Sequence, residues 1–476
     1  MAGPKGGYPA TLWCSVAAAL LGSLQFGYHM GVLNTSLWFV ALDLHFDYVK
    51  AGAFVVAVLM VGASLGALSA GQIADAVGPG RALMYNNLFN VAGCILCAAT
   101  PLGYSSLLAG RFLTGIAAGA ASLYVPRYIA EISPVRIRGG LSTLNQVFIC
   151  VGILLAYVVG LPYSGKQPYD LHIGQSAVAW WRVMFGLALI PAFVQLLALA
   201  VCPESPIWLE WVGKIDAANQ ARRRLLGADF SQELTHPDDA EQLISESERV
   251  SEAVAEDVGE ASWSELFSPR YRRIMMLAAG LPLLQQASGI NTVIFYSSQV
   301  FEDAGLHQPV IGSIIMGGVN VVGTLLAAFL IDHFGRRPLL LFSHAGMGLC
   351  LLTISINVFV PVPPAVEANI VLAAILAYTL FFALGVGPIP WVYLPEILPD
   401  RIKGRAAALC TCLNWVANLV VGLTFPMMLR VLGLGGSYLV FAVLNLFAVG
   451  FVGMYMVETK KRSLKHIQSL LLVHQD

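Results

Sequence analysis

Charged residues are scarce in this chain. Asp, Glu, Lys and Arg make up 12% of its 476 residues, whereas hydrophobic residues make up 57%. Ordinary soluble domains carry about 25% charged residues, so the composition excludes a protein of that kind and requires lipid as the solvent. The formal net charge of −1 gives no basis for nucleic-acid binding, which depends on a strongly basic surface.

The eight cysteines do not outline a disulfide or metal framework. Most lie inside apolar runs, as Cys94, Cys97, Cys410 and Cys412 do, where cysteine acts as a small core residue. No cysteine pair lies in an outer loop, and the sequence shows neither a metal-ligand cluster nor a nucleophile–base pair. We therefore expect no metal, no cofactor and no enzymatic activity.

Long hydrophobic runs are abundant. A spanning helix takes about 20 apolar residues, and twelve runs of this kind can be counted. They lie near residues 10–33, 52–73, 83–101, 105–125, 139–162, 179–201, 272–294, 310–331, 338–360, 368–392, 404–428 and 435–457. The sequence therefore predicts an all-α membrane protein with twelve transmembrane helices.

The chain also repeats itself. Residues 128–139 read YIAEISPVRIRG and residues 393–404 read YLPEILPDRIKG, with seven of the twelve positions identical. Parallel repeats of this kind build one large class of secondary transporters. We therefore expect two pseudo-symmetric six-helix bundles. The predicted parts are an N-terminal bundle at 1–202, a cytoplasmic helical connector at 203–270, a C-terminal bundle at 271–457 and a cytoplasmic tail at 458–476.

Loop charge predicts the orientation. Basic residues concentrate on one side of a twelve-helix arrangement, in the loops that hold Arg81, Arg138, Arg336 and Lys403. Positive loops face the cytoplasm, which places both termini there. The connector lies on the same side and carries the acidic stretch 246–260. We expect short polar helices in the connector and not an enzyme domain.

Amides inside the apolar runs indicate a polar pathway. Buried polar groups are costly in lipid and usually mark a functional route, whereas hydroxyls bond back to their own helix. An amide both donates and accepts hydrogen bonds, which suits sugar hydroxyls. These amides are Gln25, Asn34, Asn145, Gln146, Gln285, Gln286, Asn291, Asn320, Asn414 and Asn418. Each one alone is as readily a link between helices, but ten in both halves favour a polar cavity.

Two runs contain helix-breaking sequences. GPIPW at 387–391 removes two backbone donors, at Pro388 and Pro390, from the tenth run. SGIN at 288–291 loosens the seventh run. Interrupted helices at mid-membrane point to a substrate site and its gate, while plain helix packing by small residues is the alternative.

These motifs resemble the sugar-porter branch of the major facilitator superfamily. The resemblance covers almost the whole chain and rests on GRFLTG at 110–115, the paired E-x-x-P-x-R-x-[RK]-G loops, PESPIW at 203–208, QQASGIN at 285–291, GRR at 335–337, GPIPW and VETKKRSL at 457–464. FGYHMGVLN, STLNQVFICVGILLAYVVGLP and WWRVMFGLALIPA are most similar to segments of the plastidic glucose translocators of plants and algae. The resemblance implies a hexose transporter that works by alternating access as a monomer in a lipid bilayer. It implies D-glucose as the first substrate and the plastid envelope as the membrane, with the Golgi and plasma membranes left open.

The resemblance also assigns roles to residues. It implies hexose contacts at Gln146, Gln285, Gln286, Asn291, Asn320, Trp391, Asn414 and Asn418. It implies an aromatic gate at Phe295 and Tyr296. It implies a cytoplasmic latch, which holds the halves together in the outward-facing state, at Asp75, Glu131, Arg138, Glu204, Asp332, Arg336, Arg337, Glu396 and Lys403.

The chain departs from the family at two places. Many glucose carriers have Glu where this chain has Ala383, so one sugar hydrogen bond is lost or taken over by another residue. The first half has GPGR after Asp75 in place of G-R-[RK], which displaces Arg81. We therefore expect the latch to be asymmetric.

Carboxylates are missing from the membrane interior. No Asp or Glu lies inside any of the twelve runs, and a proton carrier needs a group that titrates there, so facilitated diffusion is favoured. The resemblance places His29 where sugar–proton symporters have Asp, facing Arg111. Histidine titrates near physiological pH, so His29 is either a coupling group or a neutral, hydrogen-bonded residue of the bundle. A proton-coupled symporter and a non-transporting sugar sensor remain the alternatives.

Overall fold

The computed structural model describes residues 8–47, 50–164, 179–227, 262–357, 360, 363–460, 462, 467 and 470–471. In this part of the chain the regular structure is helical throughout. The first half consists of α1 (Ala10–Asp43), α2 (Lys50–Val77), α3 (Pro79–Ala99), α4 (Tyr104–Ile132), α5 (Val135–Val159) and α6, which turns at Ala188 between Trp180–Leu187 and Leu189–Val201.

The second half repeats this order with two interrupted helices. It consists of α7a (Arg272–Ala287), α7b (Ile290–Asp303), α8 (Pro309–Phe334), α9 (Arg336–Asn357), α10a (Pro364–Phe381), a wide turn at Phe382–Val386, α10b (Ile389–Ile397) and the run Asp400–Tyr455. Gly433 in that run is not helical, with φ 66° and ψ −177°. It separates α11 (400–432) from α12 (434–455).

Nine helices in the described ranges are long and apolar enough to cross a membrane. Three features explain the difference between these nine helices and the twelve that the sequence predicts. The seventh helix is split at Ser288, α11 continues into α12 without a loop, and α5 adds a helix of 25 residues (Val135–Val159) that is not among the nine. The all-α, twelve-helix arrangement predicted from the sequence is therefore confirmed.

Glycines let α2 and α4 approach closely. A Cβ at Gly115 would lie 2.1 Å from the carbonyl oxygen of Leu59, and one at Gly119 would lie 2.0 Å from that of Ala63. Helices in lipid gain little from apolar side chains and associate through close contacts of small residues. Packing therefore requires the second glycine of the GRFLTG motif.

Each half carries a loop charge cluster at the end of the bundle where its even-numbered helices finish. The first-half cluster comprises Asp75, Arg127, Glu131 and Glu204, and the second-half cluster comprises Asp332, Arg336, Glu396 and Glu458. Glu204 accepts hydrogen bonds of 2.8 and 2.9 Å from two backbone N–H groups at the start of α3. Glu458 likewise accepts from the backbone of Arg336 (3.1 Å) and Arg337 (2.9 Å) at the start of α9. Both carboxylates complement the positive end of a helix.

An arginine paired with a carboxylate is the second repeated feature. Arg336 lies 2.9 Å from Glu396 in the second half. Arg127 lies 2.8 Å from Glu131 and 2.7 Å from Asp75 in the first half. The two clusters are therefore asymmetric. In the second half the arginine lies at the start of α9, whereas in the first half α4 supplies it, because the GPGR sequence displaces the arginine of the α2–α3 loop.

The other predicted latch residues have different contacts. Asp332 lies 3.6 Å from Arg336, and its side chain is 81% exposed. Arg138 and Arg337 donate hydrogen bonds to backbone carbonyl groups of their own half. Lys403 is half-buried. A latch that joins the halves in another state stays a prediction.

The connector begins with two short helices, Pro206–Trp211 and Ile215–Leu226. Trp208 donates through Nε1 to the backbone carbonyl of Asp75 (2.8 Å), which attaches the first connector helix to the end of α2. Glu265 pairs with Arg401 of α11 at 2.7 Å. The predicted short helices are present up to residue 226, and the acidic stretch 246–260 lies outside the described residues.

Glu458 has a carboxyl group that is easily ionised. Burial disfavours its charged form, but the backbone N–H groups of Lys460, Arg336, Arg337 and Thr459 outweigh burial and hold the pKa below its usual 4.5. A carboxyl with a lowered pKa stabilises the fold above that usual value. The stabilisation is lost as the pH falls through the lowered pKa.

We expect Glu458→Gln to lower the free energy of unfolding in detergent at pH 7 by roughly 0.5–1 kcal/mol, once solvent screening is allowed for. The difference from the wild type should shrink as the pH falls below 4.5. Thermal unfolding measured across this range checks it. Asp332→Asn, which changes an exposed carboxylate of the same cluster, is the control and should have little effect. Equal losses in both variants would contradict the role given to Glu458.

Candidate functional site

The seventh helix breaks where SGIN predicts. Gly289 has φ 91°, a left-handed conformation that glycine adopts without strain. A Cβ at this position would also lie 2.8 Å from the ring of Phe441. The break separates α7a from α7b and leaves backbone groups without helical partners in the membrane interior.

The tenth helix widens and then breaks at GPIPW. Residues Phe382–Val386 form a π-helical turn, a feature frequent at functional sites. Pro390 lacks the N–H group that would bond the carbonyl of Val386, four residues earlier. Gln285 of α7a supplies this donor, since its Nε2 lies 2.8 Å from the carbonyl oxygens of both Val386 and Gly387. The two breaks are therefore joined by one amide side chain.

Four amides around these breaks form a single network. Asn414 of α11 donates to Oε1 of Gln285 (3.1 Å) and accepts from Nε2 of Gln286 (3.0 Å). Asn291, on the other side of the α7 break, donates to Oε1 of Gln286. All four side chains are buried. The structure thus brings half of the eight predicted hexose contacts together, and we call these four residues the central amide network.

The other four predicted contacts are distributed over α5, α8, α10b and α11. Asn320 and Asn418 are buried, and Oδ1 of each has no hydrogen-bond partner within the described chain. A buried, unpaired oxygen is costly unless a donor is supplied, so both are ready to accept from a ligand. Gln146 is half-buried and lies 3.8 Å from Sγ of Cys150. Trp391 is half-buried in α10b.

The predicted gate residues lie in α7b. Tyr296 is 3% exposed, donates to the carbonyl of Gly422 (3.0 Å) and has its ring centroid 5.7 Å from that of Phe425. Phe295 is also buried. Tyr296 further lines a cavity of about 190 Å³ between α1, α2, α7b and α11. Tyr296 therefore lies in the seam between the halves, and Phe295 is buried next to it.

Asn34 of α1 joins the first half to α7b. Its Nδ2 donates to the carbonyl of Ile294 (2.7 Å) and to Oγ of Ser297 (2.8 Å), and its Oδ1 accepts from the hydroxyl of Ser298 (2.6 Å). Tyr157 of α5 also donates to the carbonyl of Ile294 (2.8 Å). These contacts close the end of the bundle opposite the loop charge clusters, which we call the far end. The sequence singled out Asn34 as an amide but did not predict this contact.

His29 begins a chain of hydrogen bonds within the first half. Nε2 of His29 lies 2.8 Å from Oδ1 of Asn90, whose amide donates to Gln25. Gln25 donates to Gln195 (3.0 Å), which donates to the carbonyl of Ala18 (3.0 Å). This direction assigns the ring proton to Nε2, and Nδ1 has no hydrogen-bond partner among the residues that the structure describes. We call this chain the first-half relay.

Arg111 is buried beside the relay. It donates through Nη1 to the carbonyl of His29 (3.0 Å) and through Nε to that of Val55 (3.4 Å). Among the described residues no carboxylate forms an ion pair with it. Arg111 therefore binds helix carbonyl groups in this structure. A second positive charge at His29 would be repelled by this guanidinium, which favours the neutral imidazole.

Three buried asparagines of α3 belong to the polar interior but are not among the amides that the sequence singled out. Asn86 donates to the carbonyl of Ala117 in α4 (2.9 Å), and Asn87 donates to that of Ala192 in α6 (2.6 Å). With Asn90 they form a group of three asparagines in a five-residue stretch of one apolar run. This grouping in the sequence indicates a polar contact between helices. Their partners all lie in the first half, so they join α3 to its neighbours.

Ala383 replaces the family glutamate at a crowded position. It is 1% exposed, and a Cβ at Gly323 of α8 would lie 2.7 Å from its methyl group. The small side chain is therefore matched to a close approach of α8. A longer side chain at residue 383 would displace that helix or adopt another direction.

Comparisons with known proteins identify the family of this chain. The family model described as "Sugar (and other) transporter" matches residues 14–471. Plastidic glucose transporter 4 of Arabidopsis thaliana is 38% identical over 457 residues, 96% of this chain and 80% of that protein. The glucose transporter GlcP of Staphylococcus epidermidis is 33% identical over 94% of both chains.

Two solved structures of a xylose transporter are similar to this chain over almost its whole length. The xylose transporter XylE of E. coli, in a partially occluded inward open conformation, superposes with a TM-score of 0.78 and 25% identity, over 95% of this chain and 100% of that one. A second structure of the same transporter, described as a proton:xylose symporter bound to 6-bromo-6-deoxy-D-glucose, has a TM-score of 0.77 and covers 97% of this chain and 99% of that one. The match of the family model to nearly the whole chain shows that this protein belongs to the sugar transporter family of the major facilitator superfamily.

Proposed function

We propose that this protein carries a hexose, D-glucose first, across a membrane by facilitated diffusion. The observation that carries the proposal is the central amide network at the breaks of α7 and α10. Amides present donors and acceptors together, as a ring of hydroxyls requires. Relatives named for glucose, and a related structure with a bound glucose derivative, support a hexose as the substrate.

The remaining predicted contacts complete a sugar site of mixed character. The unpaired oxygens of Asn320 and Asn418 are acceptors for sugar hydroxyls. Trp391 offers an apolar face for the ring. Trp415 packs at 5.3 Å on Phe26 of α1, which brings an aromatic pair to the seam between the halves. We assign Gln146 to the same site from the first half.

The hydrogen bonds of His29 and Arg111 in the first half support transport without proton coupling. The relay satisfies Nε2 of His29 within the protein, and Arg111 binds carbonyls in place of a carboxylate. A symporter needs a group that exchanges protons with both sides of the membrane during the cycle. His29 is 1% exposed and its backbone carbonyl binds the guanidinium of Arg111, so a protonated imidazole is costly there.

Alternating access then takes the form of two bundles, 1–202 and 271–457, that rock about the central amide network. Asn34 and Tyr157 close the far end in this structure. In the opposite state the loop charge clusters act as the latch, with the gate residues Phe295 and Tyr296 withdrawn with α7b. We propose that the connector at 203–270 braces the bundles on the cytoplasmic side.

We place the protein in the plastid envelope, as a monomer surrounded by lipid. The plastidic glucose transporters of Arabidopsis thaliana among its relatives support this membrane. Each half packs its own helices through small residues and buried amides. The translocation route therefore lies within one chain, and a second copy is not needed to complete the site.

We expect Gln285→Ala and Asn291→Ala each to weaken hexose binding roughly tenfold, because each removes a buried hydrogen-bonding group at the site. Equilibrium binding of labelled D-glucose to the purified variants measures this. Asn357→Ala is the control, since Asn357 is another buried amide of the second half but lies at the end of α9. Unchanged affinity in both test variants, or an equal loss in the control, would count against the site.

We expect proteoliposomes to take up D-glucose until the inner and outer concentrations are equal, with or without an imposed proton gradient. Accumulation beyond equality under the gradient would establish symport instead, and its loss in His29→Ala would assign the coupling group. Binding without any flux would identify a sensor. Galactose, fructose and maltose as competitors define the preferred sugar.

We expect opposite changes from weakening the two closed ends. Asn34→Leu removes the bonds between α1 and α7b, so a cysteine introduced at half-buried Gln299 should be labelled several-fold faster from the far end. Glu396→Gln weakens the latch of the opposite state and should slow labelling. Cys14 is exposed, so the same variants without the added cysteine serve as controls. Parallel changes in both variants would contradict alternating access.

A further inference from the structure

The carbonyl of Ser288 has no helical partner at the α7 break. In a continuous helix it would accept from the N–H of Thr292, four residues on. That N–H donates instead to the carbonyl of Gly289 (3.0 Å). An unpaired backbone carbonyl in the membrane interior costs several kcal/mol, so the broken conformation depends on replacement donors.

Two side chains from other helices supply them. The hydroxyl of Tyr378 in α10a and Nδ2 of Asn445 in α12 each lie 3.0 Å from the carbonyl oxygen of Ser288. His344 of α9 lies behind them, with Nδ1 3.0 Å from Oδ1 of Asn445. Because Nδ2 of Asn445 faces the carbonyls of Ser288 and Phe441, its Oδ1 is the acceptor and His344 donates. All of these side chains are 0–1% exposed.

We propose that Tyr378, Asn445 and His344 form a hinge brace, a set of positioning residues that fixes the pivot about which α7b moves during transport. The inference rests on the proposed transport function. It assigns these residues to the conformational step and not to sugar binding, since they bond to the backbone of the break and to one another, and no hydrogen bond among the described residues joins them to the central amide network.

Three observations support the brace. First, α9, α10a and α12 all belong to the second half, so their bonds to Ser288 persist when the halves move apart. Second, the bond from Asn291 to Gln286 spans the break, so a side-chain contact holds it in addition to the donors at Ser288. Third, α7b carries Tyr296 and the contacts to Asn34. A change of angle at the break therefore reaches the far-end gate directly.

The test compares the rate of sugar exchange with the affinity for sugar. In proteoliposomes loaded with D-glucose on both sides, we expect Asn445→Leu and His344→Leu to lower the maximal exchange rate roughly tenfold, the effect of a lost buried hydrogen bond. Their equilibrium binding of D-glucose should change by less than about twofold, because the central amide network keeps its contacts. His344→Asn places an Nδ2 donor where Nδ1 lies and should restore most of the rate.

Tyr378→Phe keeps the ring and removes only the hydroxyl, and it provides a second test that does not depend on how the other variants fold. It should reduce exchange in the same selective way. The brace is wrong if these variants exchange sugar at the wild-type rate, if binding weakens as much as the rate falls, or if His344→Asn is no better than His344→Leu. These results differ from a failure of the proposed function, in which the wild-type protein itself would exchange no sugar.

Discussion

In the interior of a membrane no water is available to pair with backbone N–H and C=O groups, so every break in a helix must be completed by side chains. The polar contacts around the two breaks of the second half follow from this constraint. The α7 and α10 breaks leave the carbonyls of Ser288, Val386 and Gly387 without helical donors, and Asn445 and Gln285 supply donors to them. The helix breaks and the amides therefore occur together, because each break needs the hydrogen-bond donors that amide side chains supply. The side chains that complete the backbone are also the polar groups of the proposed sugar site, which is why we place that site where the helices are interrupted.

Much of this arrangement could be predicted from the sequence, because the signals are local. Apolar length indicates a spanning helix, and a proline or a glycine in the middle of it indicates a break. The central amides could be named as a group for the same reason. Their pairing could not, since it depends on which helix faces which: Gln285 was a candidate for sugar binding, and the structure shows that it also bonds the backbone of α10. Asn34 was likewise visible as a polar residue, but its contact with α7b depends on how the two halves meet.

In the first-half charge cluster, the sequence motif predicts that an arginine is displaced but does not predict which residue replaces it. The GPGR sequence correctly indicated that the loop arginine is displaced. It could not indicate a replacement, because Arg127 lies in another helix and, four residues before Glu131, has the spacing of an ordinary helical ion pair. In the structure the same guanidinium also reaches Asp75 at the end of α2. The physical requirement at this position is a cation between two carboxylates, and the chain meets it from a different element in each half.

The two halves also differ in what their buried polar groups do. The relay in the first half begins at His29 and ends on the carbonyl of Ala18, so all of its hydrogen bonds lie within one bundle. In the second half the amides complete two helix breaks, and α7b crosses the seam to Asn34. Hydrogen bonds between side chains of one bundle hold its helices together, whereas a helix held by side chains at a break changes direction when those contacts shift. The first half is therefore suited to be the rigid partner. We therefore expect local gating movements in the second half, where the backbone already departs from the helix.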